Sequence, residues 1–460
     1  MTTTTDWQPS NRIARMRAEF LEALPMHFER LRWDQHQLSA HQTERLRTLL
    51  RIALADSPFH RRRLGNLDLD SFVLGDLATL PTMTKSEMMA AYDDVVTDRR
   101  LSLAAVNRHL ESVDQRPSLL LDRYVVLATG GSSGVRGVFA ADISGAAQHM
   151  VAVIRGGLAE LAQAIGWPPP GPAPMAIVAA PSCIHATRCL SSLFLPGRLA
   201  TVTFAPVTLA LRDIIDRVQR AQPLILVGFP SVIARLADAQ SRGELDISPI
   251  VVAVTGEQLT TDHVDRITTG LGVPPTNSYG TSEGLMGTAP PGSDEFDFCS
   301  DLAIIEFVDR DDQPIPAGEA ADHILITNRF TSSQPLIRYR IDDVMTPAPP
   351  SPVHGHQRAT AQGRNDEELH LGGVAIHPIT IRTLMAANPE ITEFQIELRP
   401  IDEVHVNVVT TADINPRSIE GTIRTALTEA GSHPGAIVAT VVDRISRDPK
   451  TGKARLFTTG

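Results

Sequence analysis

Thr129 to Gly137 reads Thr-Gly-Gly-Ser-Ser-Gly-Val-Arg-Gly, four glycines and three hydroxyls in nine residues. Glycines let backbone N–H groups close on an oxyanion, and the hydroxyls add donors, so the stretch suits anion binding. Arg136 supplies a permanent cation matched to phosphate. The spacing is not that of a Walker loop, which needs Gly-Lys-Ser/Thr after a glycine and four residues, and no acidic residue completes a dinucleotide fingerprint. By itself such a loop also serves as a linker. Its meaning comes from the stretches downstream.

Tyr279-Gly280-Thr281-Ser282-Glu283-Gly284 joins an aromatic ring, a turn glycine, two hydroxyls and a carboxylate. These suit a nucleotide: the ring to stack on a base, the hydroxyls for phosphate, Glu283 for Mg²⁺. Arg338-Tyr339-Arg340-Ile341-Asp342-Asp343 ends in two carboxylates, and an aspartate can accept both hydroxyls of a ribose. Gly363-Arg364-Asn365-Asp366 falls where the composition shifts, as a hinge would. Pro449-Lys450-Thr451-Gly452-Lys453 is a basic turn near the C-terminal end. Each has a bland reading too: a strand-ending turn, local ion pairs, a solvated lysine.

The elements that must position these residues read as follows. Residues Asn11 to Arg63 have helical spacing, with Leu46, Leu49, Leu50 and Ala53 on one face, until Ser57-Pro58-Phe59 breaks the helix. Thr84 with Glu87 three residues on predicts a capped helix. From Tyr124 to Tyr279 short apolar runs (Met175–Ala180, Leu199–Phe204, Leu224–Gly228, Val251–Gly256) alternate with helical stretches such as Leu209–Arg220 and Ser231–Ala239. That alternation predicts a parallel sheet covered by helices, with ligands beyond the carboxyl ends of its strands. Both the Thr129 loop and the Gly256-Glu257 turn are expected at such ends. From Leu302 the alternating runs Leu302–Val308 and His323–Thr327 predict an antiparallel or barrel-like subdomain. Beyond Gly363 the order strand, helix, strand, strand, helix, strand predicts a compact α+β unit. The fold class is therefore α/β, in two domains: residues 1–364, comprising a helical lead-in (1–123), an α/β core (124–300) and a β subdomain (301–364), and a small mobile C-terminal domain, 365–460.

The totals exclude several classes. At 460 residues, 42% hydrophobic and 21% charged, the chain is globular and too long for one ordinary core. A net charge of −11 argues against a general nucleic-acid binder. No run reaches the length of a membrane span, and Met1 to Arg17 lacks the apolar core of a signal peptide. With only three cysteines a disulfide framework is not expected and a cytoplasmic location is. Cys183, Cys189 and Cys299 with His185 do not have the spacing of a standard zinc finger, and buried thiols are the default.

Taken in order, these motifs resemble the adenylate-forming superfamily of acyl-CoA synthetases, peptide-synthetase adenylation domains and luciferases, and most closely its phenylacetate–CoA ligase branch. Ser57-Pro58-Phe59-His60-Arg61-Arg62-Arg63-Leu64 and Leu80-Pro81-Thr82-Met83-Thr84-Lys85 carry that branch's likeness through the N-terminal half. The resemblance implies ATP and Mg²⁺ as cofactors, a small, aryl carboxylic acid as substrate and CoA as cosubstrate; relatives in this branch are often homodimers, while the sequence itself does not fix the assembly. It assigns Thr129, Gly130, Gly131, Ser132, Ser133, Gly134 and Arg136 to the β- and γ-phosphates, and Gly256, Glu257 and Tyr279 to adenine. Thr281, with Gly280 and Ser282 beside it, falls to the α-phosphate, Glu283 to Mg²⁺, and Asp343 with Arg364 to the ribose. Asp366 becomes the hinge and Lys453 the adenylation lysine. Tyr124, His185 and Phe229 are expected to line the acid pocket, where the lack of acidic residues near Phe229 disfavours an amino-acid substrate. Arg136 stands where many relatives carry Lys, and Gly372-Gly373-Val374-Ala375 lacks the Arg or Asn many have near Ala375, which puts the CoA-facing chemistry in question. The alternatives are transfer of the adenylate to an amine, another nitrogen nucleophile or a carrier protein, and a non-catalytic nucleotide-binding relative.

Overall fold

A computed structural model describes residues 11–129, 136–165, 167, 170–362, 369–371, 374–376, 379–388, 390–399, 403–445 and 457–459. Gly130 to Gly134, Arg364, Asp366 and Lys453 lie outside the described residues.

The expected break at Ser57 is a change of helix. Ser57 ends the helix Gln35–Asp56, and its hydroxyl then caps Pro58–Leu64 by accepting from the His60 N–H. Thr84 caps Lys85–Ala90 as read: its hydroxyl accepts from the Glu87 N–H at 3.2 Å, and the Glu87 carboxylate accepts from the Thr84 N–H at 2.8 Å.

The apolar runs make the parallel half of a nine-stranded sheet. Ala200–Pro206, Ala173–Ala179, Ile225–Gly228, Val251–Thr255 and Thr276–Gly280 lie side by side in that order, all parallel. The sheet continues antiparallel through Met286–Ala289, Glu295–Phe298, Arg358–Gln362 and Val344–Pro347. Helices Leu211–Ala221, Pro230–Ser241 and Thr261–Leu271 seal one face of the parallel half, packing on Val178, Leu226, Val252 and Val254. On the other face Ile177 and Ala179 pack among residues of the helices Asn11–Arg30 and Ile143–Ile165. Ala303–Val308, His323–Asn328 and Leu336–Ile341 form the separate antiparallel sheet expected after Leu302. Beyond 369 a four-stranded sheet, with helices Ile379–Ala387 and Pro416–Glu429, has its own core around Ile396, Val406, Ile423 and Leu427.

One expectation is corrected. Tyr124–Ala128 is not a strand of the parallel sheet; it pairs antiparallel with Val138–Asp142 in a two-stranded hairpin. Parallel neighbours need a crossover of a dozen residues or more, and the nine residues between these strands can only return the chain antiparallel.

The long helix is held by a buried ion pair. Arg155 Nη1 and Nη2 donate to Asp301 Oδ2 and Oδ1 at 2.7 and 2.5 Å, and both side chains are inaccessible to solvent. Burial works against the ionised carboxylate, but the Arg155 guanidinium outweighs it and holds Asp301 below the usual carboxylate range. Four histidines, His27, His41, His60 and His149, are pushed down to about 4, chiefly by burial.

Asp301→Ala strands the Arg155 charge in the core. Its unfolding free energy, measured in urea, is expected to fall by about 3–5 kcal/mol. The histidines predict acid lability of a defined range. They are neutral in the fold and take up protons near pH 4, whereas in the unfolded chain they do so near 6.5. Stability from these groups is complete above pH 6.5 and is lost as pH falls towards 4. Unfolding midpoints across pH 7 to 4.5 should show this decline, and His149→Leu should make it shallower.

Candidate active site

Thr129, His185, Phe229, Gly256, Glu257, Tyr279, Gly280, Thr281 and Ser282 all line one cavity of about 1080 Å³. The topology brings them together: Phe229, Gly256-Glu257 and Gly280-Thr281 each follow the carboxyl end of a parallel strand. His185 immediately precedes the helix Ala186–Phe194.

The turn after Thr276–Gly280 is rigidly built. The Thr281 N–H donates to the Leu285 carbonyl, the Leu285 N–H to the Thr281 hydroxyl, and the Asn328 amide to the Glu283 carbonyl at 2.8 Å. Gly284 has φ +99°, and a Cβ there would meet the Asn328 amide and lie 2.7 Å from Phe330 Cζ. Gly256, at φ +84°, carries the Phe229 ring against its open side, 2.8 Å from where a Cβ would stand.

Two long-range contacts tie this turn to the rest. The Tyr279 hydroxyl donates to Asp343 Oδ2 at 2.5 Å, joining the end of the parallel sheet to the loop after Leu336–Ile341. The Tyr279 ring packs edge-on against Phe296 and Phe298, with centroids 5.9 Å away in both cases. Glu283 does not line the cavity; its side chain is buried, with the Lys85 ammonium 3.5 Å from Oε1. Lys85 was legible only as the first residue of a capped helix, and no spacing in the sequence links it to Glu283. Glu257 also has a structural role that its sequence position did not reveal. Its carboxylate accepts from the Ser231 N–H at 3.1 Å, in the first turn of Pro230–Ser241, where a negative charge is favoured.

Asp343, reached through Tyr279, is like Glu283 not among the residues lining the cavity, and two further expected site residues stand elsewhere. Tyr124 is outside the cavity, packed with Tyr92 and Val106, and its hydroxyl donates to Asp98 at 2.7 Å. Its run of five buried residues serves the hairpin rather than a pocket. Arg136 is likewise outside the cavity and buried. It donates to Asn107 Oδ1 at 2.9 Å, and burial pushes its guanidinium down to about 10. The side chain of Arg338, in the motif with Asp343, turns into the core to Glu306 and the Ala78 carbonyl.

Among the described residues no three His, Cys, Asp or Glu side chains gather as a metal cluster. Cys183 and Cys189 are hydrogen-bonded neighbours, whereas the Cys299 thiol donates to the Ala152 carbonyl. A Mg²⁺ site of the kind completed by substrate phosphates needs one or two carboxylates; Glu283 carries one next to the cavity-lining Ser282, but here it is buried against Lys85 and outside the cavity lining. No described helix is long and apolar enough to cross a membrane.

Over 209 residues the chain is 28% identical to a phenylacetate-coenzyme A ligase of Thermus thermophilus, covering 42% of this chain and 46% of that protein. Over 219 residues it is 25% identical to the phenylacetate-coenzyme A ligase of Aromatoleum evansii, covering 45% and 49%. The chain resembles the phenylacetate–CoA ligases. It spans about half the length of the curated relatives it matches, and no protein-family profile matches it. In fold it is similar over its whole length to a 2-hydroxyisobutyryl-CoA ligase solved with 2-HIB-AMP and CoA in the thioesterification state. The TM-score is 0.54 at 16% identity, covering 100% of this chain and 95% of that one. The same ligase in its postadenylation state with 2-HIB-AMP gives 0.53 at 17% identity. The chain thus shares the fold of that ligase.

Gly284→Ala should distort the turn that carries Glu283. The left-handed φ and the contacts with Asn328 and Phe330 together should cost about 2–5 kcal/mol of unfolding free energy, measured by denaturant titration.

Proposed function

We propose that the protein is an AMP-forming acid–CoA ligase. A carboxylate oxygen attacks the α-phosphorus of ATP and pyrophosphate leaves; the CoA thiolate then attacks the acyl carbon of the adenylate and AMP leaves. The observation that carries this reading is the convergence of Thr129, Gly256-Glu257 and Tyr279–Ser282 on one cavity, in a fold shared with an acyl-CoA ligase. The substrate is a carboxylic acid with an apolar body, aryl acids of the phenylacetate type included.

In this reading the loop from Thr129 holds the β- and γ-phosphates and Tyr279 lies against adenine. Thr281 meets the α-phosphate, Asp343 and Arg364 take the ribose, and Glu283 is the residue that would hold Mg²⁺. The metal's contribution when bound is to neutralise phosphate charge. Lys85 offsets the buried Glu283 carboxylate, and Tyr279, through its hydrogen bond to Asp343, holds that carboxylate in position. Residues 365–460 form a small domain turning about Asp366 and delivering Lys453 to the developing charge. No protein nucleophile is needed, because positioning and charge stabilisation supply the rate.

The test is pyrophosphate release from ATP and Mg²⁺ across aryl, fatty and amino acids with hydroxylamine as trap, then with CoA in its place. Release stimulated by an acid, followed by CoA-dependent thioester, is the expected result. Thioester absent while an amine or carrier protein is acylated would reassign the acceptor. Lys453→Ala is expected to lower the adenylation kcat by about 10²–10³. Undiminished adenylation in that variant would remove Lys453 from the chemistry.

A further inference from the structure

The cavity does not stop at the nucleotide-motif residues. It runs back along the open face of the parallel sheet, past Val227 and Ile225 on one strand and Thr255, Ala253 and Val251 on the next. These alternate with Leu226, Val252 and Val254, which are buried in the sealed core on the other side. Parallel sheets are normally covered on both faces; here, among the described residues, part of the centre of one face lines the cavity instead. The opposite wall is one side of the helix Ile143–Ile165, where Met150, Val153, Ile154, Gly157 and Leu158 recur at helical spacing.

Polarity is graded along this trough. Glu257, Thr281 and Ser282 lie at the carboxyl ends of the parallel strands and Thr129 at the end of the hairpin strand, and Glu257 is the only Asp, Glu, Lys or Arg among the described lining residues. His149, also in the wall, is neutral at pH 7 because burial pushes it down to about 4. At the amino end the lining is almost wholly apolar. Leu224 and Ile250 there leave 40% and 58% of their surface exposed and form an apolar rim.

We infer that this trough is an acyl channel for an acid with a long, unbranched apolar chain, its carboxylate at the Thr281 end and its tail directed towards Leu224 and Ile250. This rests on the adenylation reading for the head group. The four steps from Val251 to Thr255 span about 13 Å at the rise of a parallel strand. Three bonds of an extended chain cover about 3.3–3.6 Å, so the channel accommodates an alkyl chain of about ten to twelve carbons. A single aromatic ring would fill only its carboxyl end. The polar head and apolar tail of such an acid match the gradient of the walls.

Gly157 provides a test with little risk to folding. A Cβ there meets nothing within 4 Å, so a larger side chain would extend into the channel rather than into protein, and leucine is the better helix former. Pyrophosphate release would be measured with straight-chain acids from two to sixteen carbons, with benzoate and with phenylacetate. For the wild type, kcat/KM is expected to rise by up to about fourfold per methylene to ten or twelve carbons. Gly157→Leu should lower it at least tenfold for dodecanoate and by a clearly smaller factor for butyrate. A preference for phenylacetate with no gain beyond six carbons, or an equal loss on both acids in the variant, would overturn the channel and leave the ligase reading standing. If no acid releases pyrophosphate, the ligase reading fails, and the channel is judged by binding alone. Saturable binding of a fluorescent dodecanoate analogue, displaced by dodecanoate and weakened by Gly157→Leu, would support it; absence of such binding would overturn it.

Discussion

The ion pair between Arg155 and Asp301 sits at the junction on which the large domain's layers converge. The Asp301 carboxylate also has the Arg30 guanidinium 3.9 Å away, from the helix Asn11–Arg30. Beside it, the Ser300 carbonyl accepts from Gln42 at 2.8 Å and from Arg329 at 2.6 Å, and the Ser300 N–H donates to His356. Two N-terminal helices, the long helix, the end of His323–Asn328 and the loop before Arg358 are therefore referred to one two-residue turn. A buried pair of this kind adds little net stability, since desolvation consumes most of the Coulomb gain. What it does here is set position. The long helix is one wall of the cavity, and sliding it would change the cavity's width along its whole length.

From that junction the order passes to the site. Phe330, two residues after Asn328, packs with Ala152 of the long helix and beneath Gly284. Asn328 holds the Glu283 carbonyl and also accepts from the Phe330 N–H. The turn bearing Thr281, Ser282 and Glu283 is thus clamped from below by residues that also touch the helix wall. Preorganisation of this sort matters for a reaction in which two anions must meet, because donors and counter-charges already in place need no rearrangement during the reaction.

Much of this was legible where the signal was local. The helix cap at Thr84, the break at Ser57, the parallel strands and the order of the C-terminal elements, apart from the short strands Val374–Ile376 and Phe457–Thr459, follow from patterns within a dozen residues. The motif from Tyr279 was legible for the same reason, since its glycines and hydroxyls are adjacent in the chain. The Lys85–Glu283 contact was not, because it joins residues 198 positions apart and neither flank encodes the other. Tyr124 and Arg136 were misplaced for a related reason. An apolar run and an arginine beside a glycine-rich loop look alike in sequence whether they face a ligand or a core, and the hairpin turns both inwards.

The channel escaped sequence reading for a subtler reason. A strand of a parallel sheet is ordinarily apolar on both sides, so Val251–Thr255 and Ile225–Gly228 read as buried throughout. Only the placement of the helices distinguishes the two faces: three of them pack on the side of Val252 and Val254, and none of those three covers the side of Val251 and Ala253. The same strands then perform two tasks separated along their length. Their carboxyl ends offer turns with backbone donors and hydroxyls, and their bodies offer an apolar floor continuous with those turns. Because both come from the same rigid sheet, strand register fixes the distance from those turns to each rung of the floor, and in the proposed channel that register would serve as the ruler for chain length.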